Sequence, residues 1–97
     1  MKIFFTPEAE RQATEMDRWW REHRQARPDL FADELSDALE LIVRSPGAGT
    51  RYQTASGKSA RRVLLPRTRN HLYFDETRDR IIVHAVWGTP RGHGPDI

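Results

Sequence analysis

Arginine, histidine and tyrosine carry whatever chemistry this chain can do. Its second half holds Arg61, Arg62, Arg69 and Arg91 beside short apolar runs, with His71, Tyr73 and His84 interleaved. Guanidinium groups grip phosphate or carboxylate through two N–H groups at once. Imidazole is the side chain that most easily moves protons near neutral pH. Together these types could cut RNA without a metal: one group takes the 2′-hydroxyl proton, another protonates the leaving oxygen, and arginines hold the phosphate. On that reading His71, Tyr73 and His84 are the acid–base candidates. The plainer reading makes each histidine a surface or edge residue of a sheet. Metal chemistry has less support, because His71 and His84 fall on different apolar runs and no HxxE or HxH spacing occurs. With no cysteine, the chain has no thiolate zinc site, disulfide or cysteine nucleophile. No cofactor is implied, since no helix follows the glycine-rich end to cradle a phosphate.

Charge is unevenly spread. Residues 1–50 carry seven Lys/Arg and ten Asp/Glu, net −3, and residues 51–97 carry nine and four, net +5. A basic half points to an acidic partner, either nucleic acid or an acidic protein segment. Arginine is also simply this chain's surface cation, since Lys2 and Lys58 are the only lysines. No helix-turn-helix pattern is present. The length, 97 residues, suits one domain with a small core. The start, MKIFFTPEAE, lacks the apolar stretch of a signal peptide. No run approaches the ~20 apolar residues of a membrane span. A cytoplasmic protein without membrane contact is expected.

The elements that must position these residues follow from periodicity and punctuation. Residues 2–5 are β-like. Thr6-Pro7-Glu8 starts a helix, with Thr6 as cap and Pro7 in the first helical position. Its apolar stripe, Ala9, Ala13, Met16 and Trp20, predicts a helix to about Ala26. After Arg27-Pro28, a second helix is predicted over 29–44 on the stripe Phe31, Leu35, Ala38 or Leu39, and Ile42. Leu30 and Leu41 fall off that stripe, so this helix is either sandwiched or keeps an apolar strip for a partner. The two helices form an antiparallel hairpin. Residues 51–55 are a weak strand candidate. Three runs follow, at 63–65, 72–74 and 81–87, with Pro66 closing the first and DETRD at 75–79 turning the second into the third. They predict an antiparallel meander whose third strand, apolar on both sides apart from His84, is interior to the sheet. The fold class is α+β: an N-terminal strand, a helical hairpin, then three or four antiparallel strands. Alternation turns Val63, Leu65, Leu72 and Phe74 toward the helices, and Arg62, His71 and Tyr73 toward an open face. The tail, 88–97, holds three glycines and two prolines and is expected to be irregular and free to fold against a target.

This order resembles the RelE/ParE family of bacterial toxins over nearly the whole chain. The resemblance is carried by FTPEAERQ at 5–12, WWREHR at 19–24, PDLFADELSDALELI at 28–42, RRVLLPRTRNHLYF at 61–74 and IIVHAVWGTPRG at 81–92. It implies a toxin of a type II toxin–antitoxin system, 1–97 as a single toxin domain, in a hetero-oligomer with a DNA-binding antitoxin that wraps it. RelE-like members cleave mRNA on the ribosome, and their site resembles a Lys/Arg cluster with a tyrosine close to the end of the chain. Here no tyrosine follows Tyr73. The chain looks more like the ParE branch, whose members inhibit DNA gyrase, and so more like a binding inhibitor than an enzyme. The runner-up is a RelE-like, metal-independent endoribonuclease.

Arg62, Arg69 and Arg91 are the candidate target-binding residues. Arg61 and Arg62 alternate, and the face assignment favours Arg62. Trp19, beside the stripe of the first helix, joins Leu30 and Leu41 as a candidate antitoxin contact, since aromatic and apolar anchors dominate protein interfaces. Trp20 is assigned to the core.

Overall fold

A computed structural model describes the whole chain, Met1–Ile97. The order is β1 (Lys2–Phe5), α1 (Pro7–His23), α2 (Leu30–Arg44), β2 (Thr50–Gln53), β3 (Ser59–Leu65), β4 (Asn70–Thr77), β5 (Arg80–Gly88) and a 3-10 turn (Thr89–Arg91). The fold is α+β, with two helices on one face of a five-stranded mixed sheet ordered β1-β5-β4-β3-β2. The three runs at 63–65, 72–74 and 81–87 form the antiparallel meander β3-β4-β5. β2 adds antiparallel to β3 at one edge. At the other edge β1 pairs parallel with β5, Ile3 beside Ile81 and Phe5 beside Val83. The sheet thus joins the two ends of the sequence, with β5 interior as its two apolar sides require.

α1 begins as its first residues dictate. Thr6 Oγ1 accepts the Ala9 N–H at 3.1 Å, and Pro7 occupies the first turn. The helix stops at His23, three residues short of the expected Ala26, because Arg24 leaves helical geometry and caps back to the Trp20 carbonyl. Ala9 is fully buried, and Ala13, Met16 and Trp20 pack against the core. From α2 come Phe31 and Ile42. The sheet supplies Val63, Leu65, Leu72, Phe74, Ile81, Val83 and Val86.

Four local differences from the sequence reading have physical causes. β2 starts at Thr50, not 51, where Gly49 in left-handed geometry (φ 79°) presses against β3, and ends at Gln53, not 55, where Thr54 is tied to Lys58 in the turn. A Cβ at Gly49 would lie 2.1 Å from the Arg62 carbonyl oxygen, so glycine is required there. Asp75, Glu76 and Thr77 belong to β4, and the turn to β5 is only Arg78-Asp79, with Arg78 at φ 59°. A tight hairpin needs left-handed residues, and Arg78 adopts that conformation without being glycine. In β5 a bulge shifts the alternation, since Tyr73 pairs with Ala85 but Phe74 with Val83. Val83 and Val86, three apart, therefore both face the helices, and His84 is the extra residue.

The fourth difference concerns the face away from the helices. The expected open face is partly closed. Tyr73 is 2% exposed and meets Tyr52 edge-on at 4.8 Å. The end of the chain lies back over this region: Gly94 abuts the Tyr52 hydroxyl, Pro95 is buried, and Ile97 O accepts the Ala55 N–H at 2.8 Å. The tail is irregular after the 3-10 turn, but it is docked, not free.

Candidate functional site

The predicted functional residues separate into three places. On the sheet face away from the helices, Arg62, His71 and Tyr73 are neighbours. Arg62 Nη1 donates to the Tyr73 hydroxyl at 3.5 Å, and its guanidinium lies 5.6 Å from the Tyr52 ring. His71 is edge-on to Tyr73 at 6.0 Å. Burial first, and then the Arg62 charge, hold the His71 pKa below the ordinary histidine value. Leu64, 54% exposed, is the most exposed large apolar side chain of the molecule. Arg61, on the other face, is structural: it donates to the Ala48 and Gly49 carbonyls at 3.0 and 3.1 Å and fixes the entry to β2.

His84 is elsewhere. Its Nε2 meets Asp75 Oδ2 at 2.8 Å beside Thr6 and the docked chain end. The three acid–base candidates therefore do not form one site, and the Tyr73 side chain is closed off from solvent. No group of three or more His, Cys, Asp or Glu is arranged to hold a metal ion.

The third place is a cleft of about 720 Å³ between one face of α1, the β3–β4 turn, the end of β5 and the 3-10 turn. It gathers Arg69 and Arg91, 22 residues apart in sequence. Main-chain bonds hold them together: Arg69 N–H donates to Leu65 O at 2.8 Å, and Thr89 N–H donates to Arg69 O at 2.9 Å. Arg69 takes φ 61°, and its side chain is exposed. Arg91 lies over the Trp87 ring at 4.0 Å, while Trp87 Nε1 donates to the His93 carbonyl at 2.7 Å. On the opposite wall Trp19, 41% exposed, stacks on His23 at 4.8 Å and carries Arg24 at 4.9 Å.

The β3–β4 turn is held by a residue that sequence reasoning passed over. Glu34 of α2 accepts from Arg67 N (2.7 Å), Thr68 N (3.0 Å) and Thr68 Oγ1 (2.7 Å). In sequence Glu34 was one more acid early in a helix, and nothing local marks its reach to residues 33 and 34 positions away. Thr68 in turn receives Asn70 Nδ2. Asn70 is 1% exposed, lines the cleft, and leaves its Oδ1 without a hydrogen-bond partner. Arg24, Trp87 and Asn70 were likewise missed as site residues, because each was read only as part of its element.

Arg62 is thus on a different face from Arg69 and Arg91. Among the candidate partner contacts, Trp19 belongs to the cleft, while Leu30 and Leu41 are on α2, half-buried and 40% exposed respectively. Eleven residues span about three helical turns, so these two leucines share one helix face roughly 16 Å apart.

The chain is similar in structure to a solved chain described as "Chromosomal ParDE TA system from P. aeruginosa". The TM-score is 0.64 and the identity 16%, covering 91% of this chain and 95% of the other. No family model and no curated protein matches the chain. At that identity the likeness is one of fold, and it bears out the architecture that the RelE/ParE resemblance implied.

Proposed function

We propose that this chain is the toxin of a type II toxin–antitoxin system, that it inhibits DNA gyrase by binding, and that a cognate antitoxin neutralises it. Support comes from the fold, shared with a chain whose title names a ParDE system, and from the sequence resemblance. One observation carries the choice of binding over catalysis. Arg69 and Arg91 are locked together in one cleft with aromatic walls, whereas His71 and His84 are dispersed. Trp19, Leu30 and Leu41 are the proposed antitoxin contacts, and the complex is a hetero-oligomer. No helix is long and apolar enough to cross a membrane, and gyrase and antitoxin place the work in the cytoplasm. The basic surface would also meet gyrase-bound DNA.

The second reading, ribosome-dependent mRNA cleavage, rests on Arg62, His71 and Tyr73 sharing one sheet face. One experiment separates them. Purified protein is mixed with gyrase and supercoiled plasmid, and in parallel with translating ribosomes. Accumulated cleaved plasmid supports the gyrase reading. Cut mRNA with gyrase unaffected overturns it in favour of the second.

A further inference from the structure

The two edges of the sheet are defended differently. At the β2 edge Arg51 sits mid-strand, Gly94 abuts the Tyr52 hydroxyl, and the chain end returns to bond Ala55. At the β1 edge the strand is Lys2-Ile3-Phe4-Phe5, with its one charge at the start. Sheet edges are blunted by charge, proline, bulges or a covering segment, because bare N–H and C=O groups recruit another strand. Phe4 is 44% exposed and Met1 52%, so two of the molecule's exposed large apolar side chains gather at this one edge. The main chain is free there too. Thr6 N–H turns inward to Val83 O. By the two-residue period of a strand, Phe4 also turns its N–H and C=O toward β5, while Ile3 and Phe5 turn theirs outward, where no strand lies.

We propose that β1 pairs antiparallel with β1 of a second copy of this chain, joining the two sheets into one about a two-fold axis. The edge is complementary to itself. A two-fold normal to the sheet keeps both cores on one side, and a one-residue slip turns a strand's faces over, so opposed residues must share a face. The register that centres Phe4 on Phe4 of the second copy meets this condition. Ile3 then opposes Phe5, each with outward N–H and C=O, and about four main-chain hydrogen bonds form. Lys2 falls opposite Thr6, so no cation meets a cation, and α1 of the second copy opens there with Glu8 and Glu10. On the face away from the helices Phe4 lies beside Ile82, and the Arg80 guanidinium is 5.2 Å from its ring. Pairing makes one apolar strip of both copies' Phe4 and Ile82, with an arginine over each ring. β2 has no such solution: its registers set Arg51 against Arg51, or centre on Tyr52 where Gly94 abuts. The arginine cleft takes no lining from β1, so each copy keeps its cleft open. The inference stands apart from the gyrase reading, since it needs only the chemistry of one edge.

Sedimentation velocity of the full chain over a concentration series should show single copies giving way to dimers. Phe4→Lys, which sets two ammonium groups against each other at the axis, should raise the dimer Kd about tenfold or more. Leu64→Lys, on the same sheet face but with β5 and β4 between it and β1, should leave the Kd unchanged. A second measurement reads the register directly. The chain has no cysteine, and residues opposed in a non-hydrogen-bonded antiparallel pair lie about 4.5 Å apart at Cα, within reach of a disulfide. Phe4→Cys should therefore give a covalent dimer under mild oxidation. Lys2→Cys, set against Thr6 instead of its own copy, and Leu64→Cys should not. Should Phe4→Lys fail to fold by circular dichroism, the cysteine variants decide. The proposal is overturned if the chain stays monomeric at ~1 mM, or if Leu64→Lys breaks the dimer and Phe4→Lys does not. It is equally overturned if position 4 crosslinks no faster than positions 2 and 64, or if in cell extract it crosslinks only to a different protein, whose strand then owns this edge.

Discussion

Replacing Glu34 with alanine should cost far more than its half-exposed position on α2 suggests. The carboxylate accepts three hydrogen bonds from the β3–β4 turn. The Arg67 N–H is in an exposed residue and regains water at little cost. Thr68 is 8% exposed, and its N–H and hydroxyl both lose their acceptor. Hydrogen bonds to a charged group contribute about 1.5–3 kcal/mol each, and a stranded buried donor costs about 1–3 kcal/mol. Water entering the space left by the side chain recovers part of this, so a net loss of about 2–3 kcal/mol is expected. For a domain of this size that lowers Tm by about 10–15 °C. Glu34→Gln is the discriminating partner. Both Thr68 bonds go to one oxygen, Oε1, and an amide oxygen can keep them, so glutamine should cost about 1 kcal/mol or less. Urea and thermal unfolding by circular dichroism measure both variants. Alanine within about 0.5 kcal/mol of the parent, the range of ordinary surface substitutions, would refute the claim that this contact holds the turn. Glutamine as damaging as alanine would show that charge, not the shared acceptor, is what matters.

Three further outcomes follow from the same geometry. Gly49→Ala should destabilise by about 3 kcal/mol or more in urea unfolding, because it combines a left-handed backbone with a collision against the Arg62 carbonyl. His71 is held below the usual 6.5 by burial and then by Arg62. As pH falls below that value the unfolded chain takes up a proton there before the folded chain does, so stability decreases until the folded pKa is passed and then levels. His71→Gln should flatten that part of a pH series of urea titrations. Removing residues 93–97 should uncover Tyr52 and break the Ala55–Ile97 and Trp87–His93 bonds, lowering Tm by about 5–10 °C. An unchanged Tm would mean the docked tail contributes nothing.

What could be read from the sequence was what neighbours decide. Thr6-Pro7, the Ala9-Ala13-Met16-Trp20 stripe and the three apolar runs each express a local period, and each formed the expected element. The face assignment of Val63, Leu65, Leu72 and Phe74 held for the same reason. The chain end against Tyr52, the parallel pairing of β1 and the reach of Glu34 depend on residues far away in sequence, and no local pattern announces them. The bulge at His84 is a milder case, since one extra residue breaks a count that alternation takes as regular. For the candidate site, the arginines were visible as a surplus. Which of them meet was settled by the turns, where Thr89 ties to Arg69 and leaves Arg62 on another face.

The parallel seam between β1 and β5 sets when this molecule can exist. Lys2 lines up with Arg80 and Phe5 with Val83, so β1 must wait for β5, which is made 78 residues later. Local contacts can form early in synthesis, and α1 and α2 are made of them. The sheet cannot close over them until residue 83 has been added. Until then α1 and α2 can form a hairpin while β1 stays unpaired. Its arginine cleft is later still, because the wall bearing Arg91 comes eight residues after Val83. A copy stopped before Val83 has neither a finished sheet nor a finished cleft.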